Sequence, residues 1–211
     1  MLVYGLAIKP IRTLVNNMSL VESNLDDELL KYGDNRNVID AYKTWKLEAI
    51  KADMASRAFP VHIAIENYQH DYNIGSIVRS ANAFAVSGVH IIGKRHWNRR
   101  GAMATEKYLQ LYHHKDVAEF TDWALKNDQQ IIGIDNIEGS VLLHDAILPE
   151  HAVLVFGQEG PGLSDEMRAV CKYIVAIEQF GSTRSVNVGV AAGIIMYEWV
   201  RRNAILDLKE L

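Results

Sequence analysis

Cysteine is almost absent from this chain, since Cys171 is the only one among 211 residues. No disulfide can form within the chain, which is typical of a reducing compartment, so we expect a cytoplasmic protein. The N-terminus lacks the cationic start and the long apolar run of a signal peptide. No apolar run approaches the roughly 20 residues that span a bilayer, so we expect no membrane partner.

The sequence also lacks an excess of positive charge, with 22 lysines and arginines against 26 acidic residues. This balance argues against a generic nucleic-acid coat protein, although an enzyme with a local basic site remains compatible with it. No cysteine and histidine cluster has the spacing of metal ligands, because His113 and His114 are adjacent in sequence and do not share a face. We therefore predict no metal.

Residues 1–58 read as a helical N-terminal extension, and residues 59–211 as the main domain. In the extension, the apolar spacing predicts a helix over 38–55. In the main domain, short apolar strands alternate with helices, which predicts a Rossmann-like parallel sheet covered on both faces. The predicted strands are 61–65, 89–92, 131–134, 153–156 and 173–177, and the predicted helices are 74–86, 118–126, 164–170 and 188–202.

Three polar or glycine-rich segments follow predicted strands, where open α/β sheets bind ligands. The first runs from Asn73 to Phe84 and reads N-x-G-x-I-x-R-x-A-x-A-F. Its Arg79 lies in the first turns of a predicted helix among small residues. Taken alone, this arginine fits either a surface ion pair or a functional site.

The second segment, F-G-Q-E-G-P-G-L from residue 156, is a glycine-rich turn between a strand and a helix. It is not a nucleotide phosphate loop, because no lysine follows, and it lacks the spacing of the dinucleotide fingerprint. Glu159 would repel phosphate and suits a ligand with hydroxyl or amino groups. A simple tight turn with an exposed glutamate is the alternative interpretation.

The third segment carries Arg184, Ser185 and Asn187 into a helix start that is rich in small residues. A helix N-terminus favours an anion, while serine and asparagine there also serve as plain caps. For this segment alone both interpretations stay open.

Together and in this order, the three segments resemble the motifs of the SpoU (TrmH) family, RNA 2′-O-ribose methyltransferases of the SPOUT superfamily. The resemblance covers residues 60–203. It implies a C-terminal deep trefoil knot, a homodimer and the cofactor S-adenosyl-L-methionine. The residues that it implies for cofactor binding are Gly157, Gly160, Gly162, Leu163, Ile177, Val186, Asn187 and Ala191.

By the same resemblance, Arg79 matches the catalytic arginine, and the other functional polar positions fall on Asn73, Glu159, Ser185 and Asn187. The reaction implied is methyl transfer to a ribose 2′-hydroxyl of tRNA or rRNA. Arginine is a poor base because its guanidinium stays protonated. Stabilising the adjacent phosphate and the developing alkoxide is the role we favour, with a phosphate-assisted base as the alternative.

A basic run follows the predicted strand 89–92 and contains an aromatic residue. Phosphate contact and base stacking are what single-stranded RNA requires, so we expect RNA binding here, against the alternative of a solvated charged loop. The residues predicted for RNA contact are Lys94, Arg95, Trp97, Arg99 and Arg100.

The sequence departs from the family where many members carry Pro-Met, since it has Glu178-Gln179, and this change is expected to put an acid near the donor pocket. A dimer surface is expected on the final helix, at Ile194, Ile195, Tyr197 and Trp199. One alternative function is a non-catalytic RNA-binding protein with a degenerate SPOUT fold. Another is a different nucleotide-binding α/β enzyme, which Glu159 and the missing lysine disfavour.

Overall fold

The protein is described by a computed structural model over residues 24–69 and 73–205. Its strands are β1 (Phe59–Asn67), β2 (Val86–Gly93), β3 (Leu111–His114), β4 (Gln130–Ile134), β5 (Val141–Leu142), β6 (Ala152–Phe156) and β7 (Tyr173–Ala176). They form a parallel sheet with the order β3-β2-β1-β6-β4-β7-β5, which confirms the predicted parallel α/β architecture.

Helices cover both faces of this sheet, because alternate side chains of the central strands point to opposite sides. The helices are α1 (Asp27–Tyr32), α2 (Leu47–Arg57), α3 (Ile74–Ala83), α4 (Val117–Lys126), α5 (Asp165–Val170) and α6 (Val188–Val200), which continues as a π-helical turn over Arg201–Ile205. In β1, Ile63 and Ile65 pack with α3 and α6, whereas Ala64 packs with α4 and α5. Among the described residues, no helix has both the length and the apolar character to cross a bilayer.

The helix predicted over 38–55 is wrong in its first half. Residues 40–42 form a 3₁₀ turn, Thr44 adopts a positive φ of 64°, and α2 begins only at Leu47. The left-handed backbone at Thr44 ends the helical path. The apolar spacing instead reflects a small cluster in which Tyr42 and Trp45 are buried with Ile50.

The N-terminal segment also carries a buried ionic cluster that joins its 3₁₀ turn to α2. The Arg57 guanidinium donates to the Asp53 carboxylate at 2.9 Å, and the Tyr42 hydroxyl bonds to both groups. Burial raises the pKa of Tyr42 to about 12. The described part of this segment contacts the main domain through Tyr108, and the domain boundary at residue 58 stays a prediction.

Two edge strands, β3 and β5, were not predicted from the sequence. Both are short, β5 is exposed and β3 is only partly buried, so they lack the continuous apolar run that marks the central strands. The centre of the sheet matters most for function. There β1, β6, β4 and β7 are neighbours, and their carboxyl ends lie along one edge.

Candidate functional site

A cavity of about 350 Å³ opens at the carboxyl ends of β4, β6 and β7, and we call it the sheet-end cavity. All the residues predicted to bind a cofactor line it except Leu163, which is buried behind the loop. Its lining comprises Ile134, Asp135, Asn136, Phe156, Gly157, Gln158, Glu159, Gly160, Gly162, Val175, Ile177, Gln179, Ser185, Val186, Asn187, Val188 and Ala191.

The wall after β6 is the glycine loop, residues 157–163. Two backbone hydrogen bonds of 3.1 and 3.0 Å between Gln158 and Gly162 close it. A Cβ at Gly157 would lie 2.0 Å from the carbonyl carbon of Gly162, so side chains are excluded by the loop's own fold. At Gly160 a positive φ of 96° favours glycine, while the space around it is open. The loop therefore presents main chain to the cavity.

Asp135 and Asn136 belong to the site, although the sequence analysis missed them. The Asp135 carboxylate accepts a hydrogen bond from the backbone N–H of Leu163 at 2.9 Å, which ties the end of β4 to the glycine loop. Both residues directly follow a predicted strand, so the strand-end rule would have identified them.

Asn73, Glu159 and Asn187 form a hydrogen-bonded group at the rim of the cavity, which we call the polar cluster. Asn187 Oδ1 caps α6 by accepting from the N–H groups of Gly189 and Val190 at 2.9 and 3.2 Å. Its Nδ2 therefore faces Asn73 and donates to Oδ1 at 3.0 Å. Asn73 Nδ2 in turn donates to Glu159 at 2.8 Å. One helix cap thus sets the orientation of both amides and of the carboxylate.

The five predicted catalytic residues do not all meet in one place. Ser185 is exposed and lines the sheet-end cavity beside Glu159 and Asn187. Arg79 is also exposed, but it lines a different cavity of about 840 Å³ between α2, α3 and α6, which we call the flank cavity. Within this chain the arginine is therefore outside the sheet-end cavity.

Glu178, the acid expected near the donor pocket, does not line the sheet-end cavity and bonds to His144 instead. Its carboxylate accepts from the backbone N–H of His144 at 2.9 Å and also bonds to the imidazole of His144. These bonds lower the pKa of Glu178, and the same carboxylate raises the pKa of His144. The next residue, Gln179, lines the cavity instead.

The sequence profile of the SpoU rRNA methylase family matches residues 60–197, which include all three motifs and the sheet-end cavity. The chain belongs to the SpoU rRNA methylase family.

Two curated relatives and one crystal structure illustrate this SpoU membership. An uncharacterized tRNA/rRNA methyltransferase of Mycolicibacterium smegmatis is 34% identical over 149 residues, which are 66% of this chain and 46% of that protein. The 23S rRNA (guanosine-2′-O-)-methyltransferase RlmB of Coxiella burnetii is 28% identical over 145 residues, 66% of this chain and 58% of that protein. This chain thus spans about half the length of these curated relatives.

The crystal structure is that of the SpoU methyltransferase AviRb from Streptomyces viridochromogenes in complex with the cofactor AdoMet. It is 27% identical, with a TM-score of 0.60, and the match covers 67% of this chain and 59% of that chain. This likeness confirms the predicted α/β fold with a parallel sheet.

The basic run of this SpoU protein is held against the first motif. Asn67 donates to the backbone carbonyls of Lys94 and His96 at 2.7 and 3.1 Å. A Cβ at Gly75 in α3 would lie 2.9 Å from the backbone of Ala102, so the loop packs tightly on that helix. The four cations predicted for RNA contact are exposed, namely Lys94, Arg95, Arg99 and Arg100.

Trp97 does not fit its predicted role in RNA stacking. Its side chain is only 6% exposed and belongs to the hydrophobic core on the α3 face, with the Arg99 guanidinium 5.8 Å from its ring. A buried ring cannot stack on a base, so Trp97 instead anchors the basic loop to the hydrophobic core. Burial of an aromatic residue between cations was not visible in the sequence pattern.

The expected dimer surface on α6 also needs correction. Ile195 and Trp199 are buried, and the Trp199 indole donates to the carbonyl of Pro149 at 2.8 Å. The exposed apolar side chains of this helix are Val190, Ile194 and Tyr197. An apolar stripe nevertheless remains exposed along α6, beginning three residues after the helix cap Asn187.

Three buried histidines form a chain on the face of the sheet opposite α3. His62 Nδ1 and His90 Nε2 are 3.0 Å apart, and His90 Nδ1 and His114 Nε2 are 2.8 Å apart. They stand on β1, β2 and β3, far apart in sequence, so sequence reasoning missed them. Within residues 24–69 and 73–205, no group of three or more His, Cys, Asp or Glu side chains is arranged to hold a metal ion.

Proposed function

We propose that this chain transfers a methyl group from S-adenosyl-L-methionine to a ribose 2′-hydroxyl of a tRNA or rRNA. The observation that carries the proposal is the polar cluster at the rim of a cavity with main-chain walls, at the carboxyl ends of parallel strands. Membership of the SpoU family and the names of the relatives support the same reaction class.

The sheet-end cavity fits the methyl donor in shape and in the character of its walls. The glycine loop offers backbone groups without side chains, and apolar residues such as Ile134, Val175 and Ile177 offer a surface for a flat ring. When bound, the donor supplies a methyl group on a sulfonium. The residues that would hold it are Gly157, Gly160, Gly162, Ile177, Val186, Asn187 and Ala191.

The polar cluster orients the acceptor hydroxyl. The Glu159 carboxylate accepts from Asn73 through one oxygen, which leaves its second oxygen available for a ribose hydroxyl. Ser185 lies beside it in the cavity lining and offers a second hydroxyl contact. As the hydroxyl oxygen bonds to the methyl carbon, the methyl–sulfur bond would break to leave S-adenosyl-L-homocysteine, and the hydroxyl proton would pass to water. In our proposal Arg79 binds the adjacent phosphate and stabilises the developing negative charge.

Arg79 meets this role most simply if it comes from a second copy of the chain. The exposed stripe Val190, Ile194 and Tyr197 runs along α6, and ten residues of helix separate Asn187 from Tyr197 by about 15 Å. Tyr197 lines the flank cavity together with Arg79. A twofold axis that pairs two α6 helices antiparallel brings the Tyr197 end of one copy to the Asn187 end of the other. We infer a homodimer with two such shared sites.

The exposed cations Lys94, Arg95, Arg99 and Arg100 provide the phosphate contacts for RNA in this proposal. The deep trefoil knot and the cytoplasmic location complete it as expectations. They rest on the family resemblance and on the single cysteine, respectively.

The direct test is methyl transfer from labelled S-adenosyl-L-methionine to total tRNA and, separately, to rRNA that lacks modifications. The expected product after digestion is a 2′-O-methylnucleotide, and its formation should be lost in Arg79→Ala and Glu159→Gln. His151→Gln, an exposed change away from the site, is the matched control. Donor binding without transfer to either RNA would favour the non-catalytic RNA-binding alternative.

The shared site has its own test. Differently tagged Arg79→Ala and Glu159→Gln chains are co-expressed, and mixed dimers are isolated through both tags. If Arg79 acts across the dimer, each mixed dimer has one complete site and recovers about half of the wild-type rate. Mixed dimers as inactive as the two parent variants would refute the arrangement, while leaving the reaction itself untouched.

A further inference from the structure

Gln179 is one of the polar residues that line the sheet-end cavity. It follows β7 closely and lines the cavity, while its neighbour Glu178 is held by His144 outside it. The segment after β7 therefore presents an amide to the cavity and keeps the carboxylate away from it.

The side-chain oxygen of Gln179 is shielded from water and has no hydrogen-bond partner among the described residues. An amide oxygen in this state has lost its hydration without gaining a donor, which is unfavourable. The other side-chain atoms in this state belong to Glu106, Gln129 and Arg168, none of which lines this cavity. A rotation of the Gln179 amide is needed to turn this oxygen toward the cavity, where a ligand N–H would then remove the deficit.

The apolar side chains beside Gln179 indicate which part of the donor meets it. Two arms extend from the donor's sulfonium, the adenosyl arm and the aminocarboxypropyl arm, and only the first ends in a flat ring. Gln179 lies two residues after Ile177, which lines the cavity together with Ile134 and Val175. Because apolar side chains favour a flat ring over a charged amino acid group, we place the adenine at this end of the cavity.

The chemistry of the surroundings agrees with a purine. Around this end of the cavity, Ile134, Val175 and Ile177 provide apolar contact for a flat ring, whose edge carries the polar groups. A glutamine amide is complementary to the adenine edge, because its oxygen accepts from the 6-amino group.

We propose that Gln179 is a specificity-determining residue that accepts a hydrogen bond from the 6-amino group of the donor's adenine. This inference rests on the proposed function, since it takes S-adenosyl-L-methionine as the ligand of the cavity. It assigns to this chain a side-chain contact for the base, in addition to the main-chain contacts of the glycine loop.

Calorimetric titration of the full chain tests this contact without any methyl transfer. The probes are S-adenosyl-L-homocysteine and its counterpart that lacks the 6-amino group. The wild-type chain should bind the adenine compound about tenfold more tightly, because the second probe leaves the glutamine oxygen unpaired. Gln179→Met, which keeps the side-chain length, should bind both probes equally. Glu178→Gln, the matched control on the neighbouring residue, should keep the tenfold preference.

The outcomes separate the two proposals. Equal binding of both probes by the wild-type chain, or a preference that persists in Gln179→Met, overturns the role of Gln179 while the donor site stands. The same loss of affinity for both probes in Gln179→Met places the contact on another part of the ligand and also overturns it. Binding of neither probe by a folded wild-type chain overturns the proposed function together with this inference.

Discussion

Acidification from pH 7.5 to pH 5.0 should weaken the fold through the buried histidine chain. His62, His90 and His114 are each less than 10% exposed and bond to one another through the facing nitrogens given above. Burial lowers the pKa of His62 to about 4, that of His90 to about 2, and that of His114 below its ordinary value. These imidazoles stay neutral in the folded protein at pH values where the unfolded chain binds protons.

The sign and size follow from these pKa values. Because the folded-state values are depressed, the unfolded state holds more protons below about pH 6.5, so the free energy of unfolding falls as the pH drops through that value. A histidine whose pKa falls from 6.5 to about 4 on folding lowers the free energy of unfolding by about 2 kcal/mol between pH 7.5 and 5.0. A histidine whose pKa is lowered further contributes a similar decrease over this pH range. His62 and His90 together account for about 4 kcal/mol, a large share of the 5–15 kcal/mol typical of a domain.

Urea unfolding followed by circular dichroism at pH 7.5 and 5.0 measures this loss. The double variant His62→Gln/His90→Gln replaces the two imidazoles by neutral amides and should lose about 4 kcal/mol less than the wild-type chain on acidification. His151→Gln changes an exposed histidine and should behave as the wild-type chain does. An equal loss in the double variant, or no loss in the wild-type chain, would refute the role assigned to the histidine chain.

Four further substitutions test single contacts. Gly157→Ala should lower the free energy of unfolding by at least about 3 kcal/mol, since its Cβ would meet backbone at 2.0 Å. Gly160→Ala has open space around it, so it should lower this free energy by only about 1 kcal/mol, through its positive φ. Equal urea midpoints for the two variants would contradict this difference. Asn187→Asp should keep the cap of α6 and hence the melting temperature. It should lose the hydrogen bond donated to Asn73, and the rate of methyl transfer should fall at least tenfold. An unchanged rate would exclude a role for this hydrogen bond. Arg202→Lys loses the paired bonds to two backbone carbonyls, so urea unfolding should show about 1.5 kcal/mol less stability, and no change would mean that water replaces them.

Local pattern was sufficient for the centre of the fold and for the chemistry-bearing segments. The central strands are buried on both faces, so they are continuous apolar runs, and all five predicted strands are present. The glycine loop was recognisable because a sharp turn between strand and helix restricts residue type, as Gly157 illustrates. Asn187 was recognisable as a helix cap for a similarly local reason.

Features that depend on distant parts of the chain were not readable in this way. Trp97 stands among cations in sequence, yet its ring fills the core under α3, because burial depends on what packs against a loop. The histidine chain requires the register of three parallel strands. Gln179 lines the cavity while His144, 34 residues from Glu178, holds the neighbouring carboxylate outside it.

The sequence alone therefore determined the order of the central strands and their helices, the family and most residue types of the site, since each depends on periodicity or on short motifs. The tertiary structure was needed to show which side chains meet. It joins Asn73, Glu159 and Asn187 in one hydrogen-bonded cluster and assigns Arg79 to the flank cavity. The physical reason is that strand order and helix packing bring together groups separated by up to 114 residues, and no local pattern encodes that proximity.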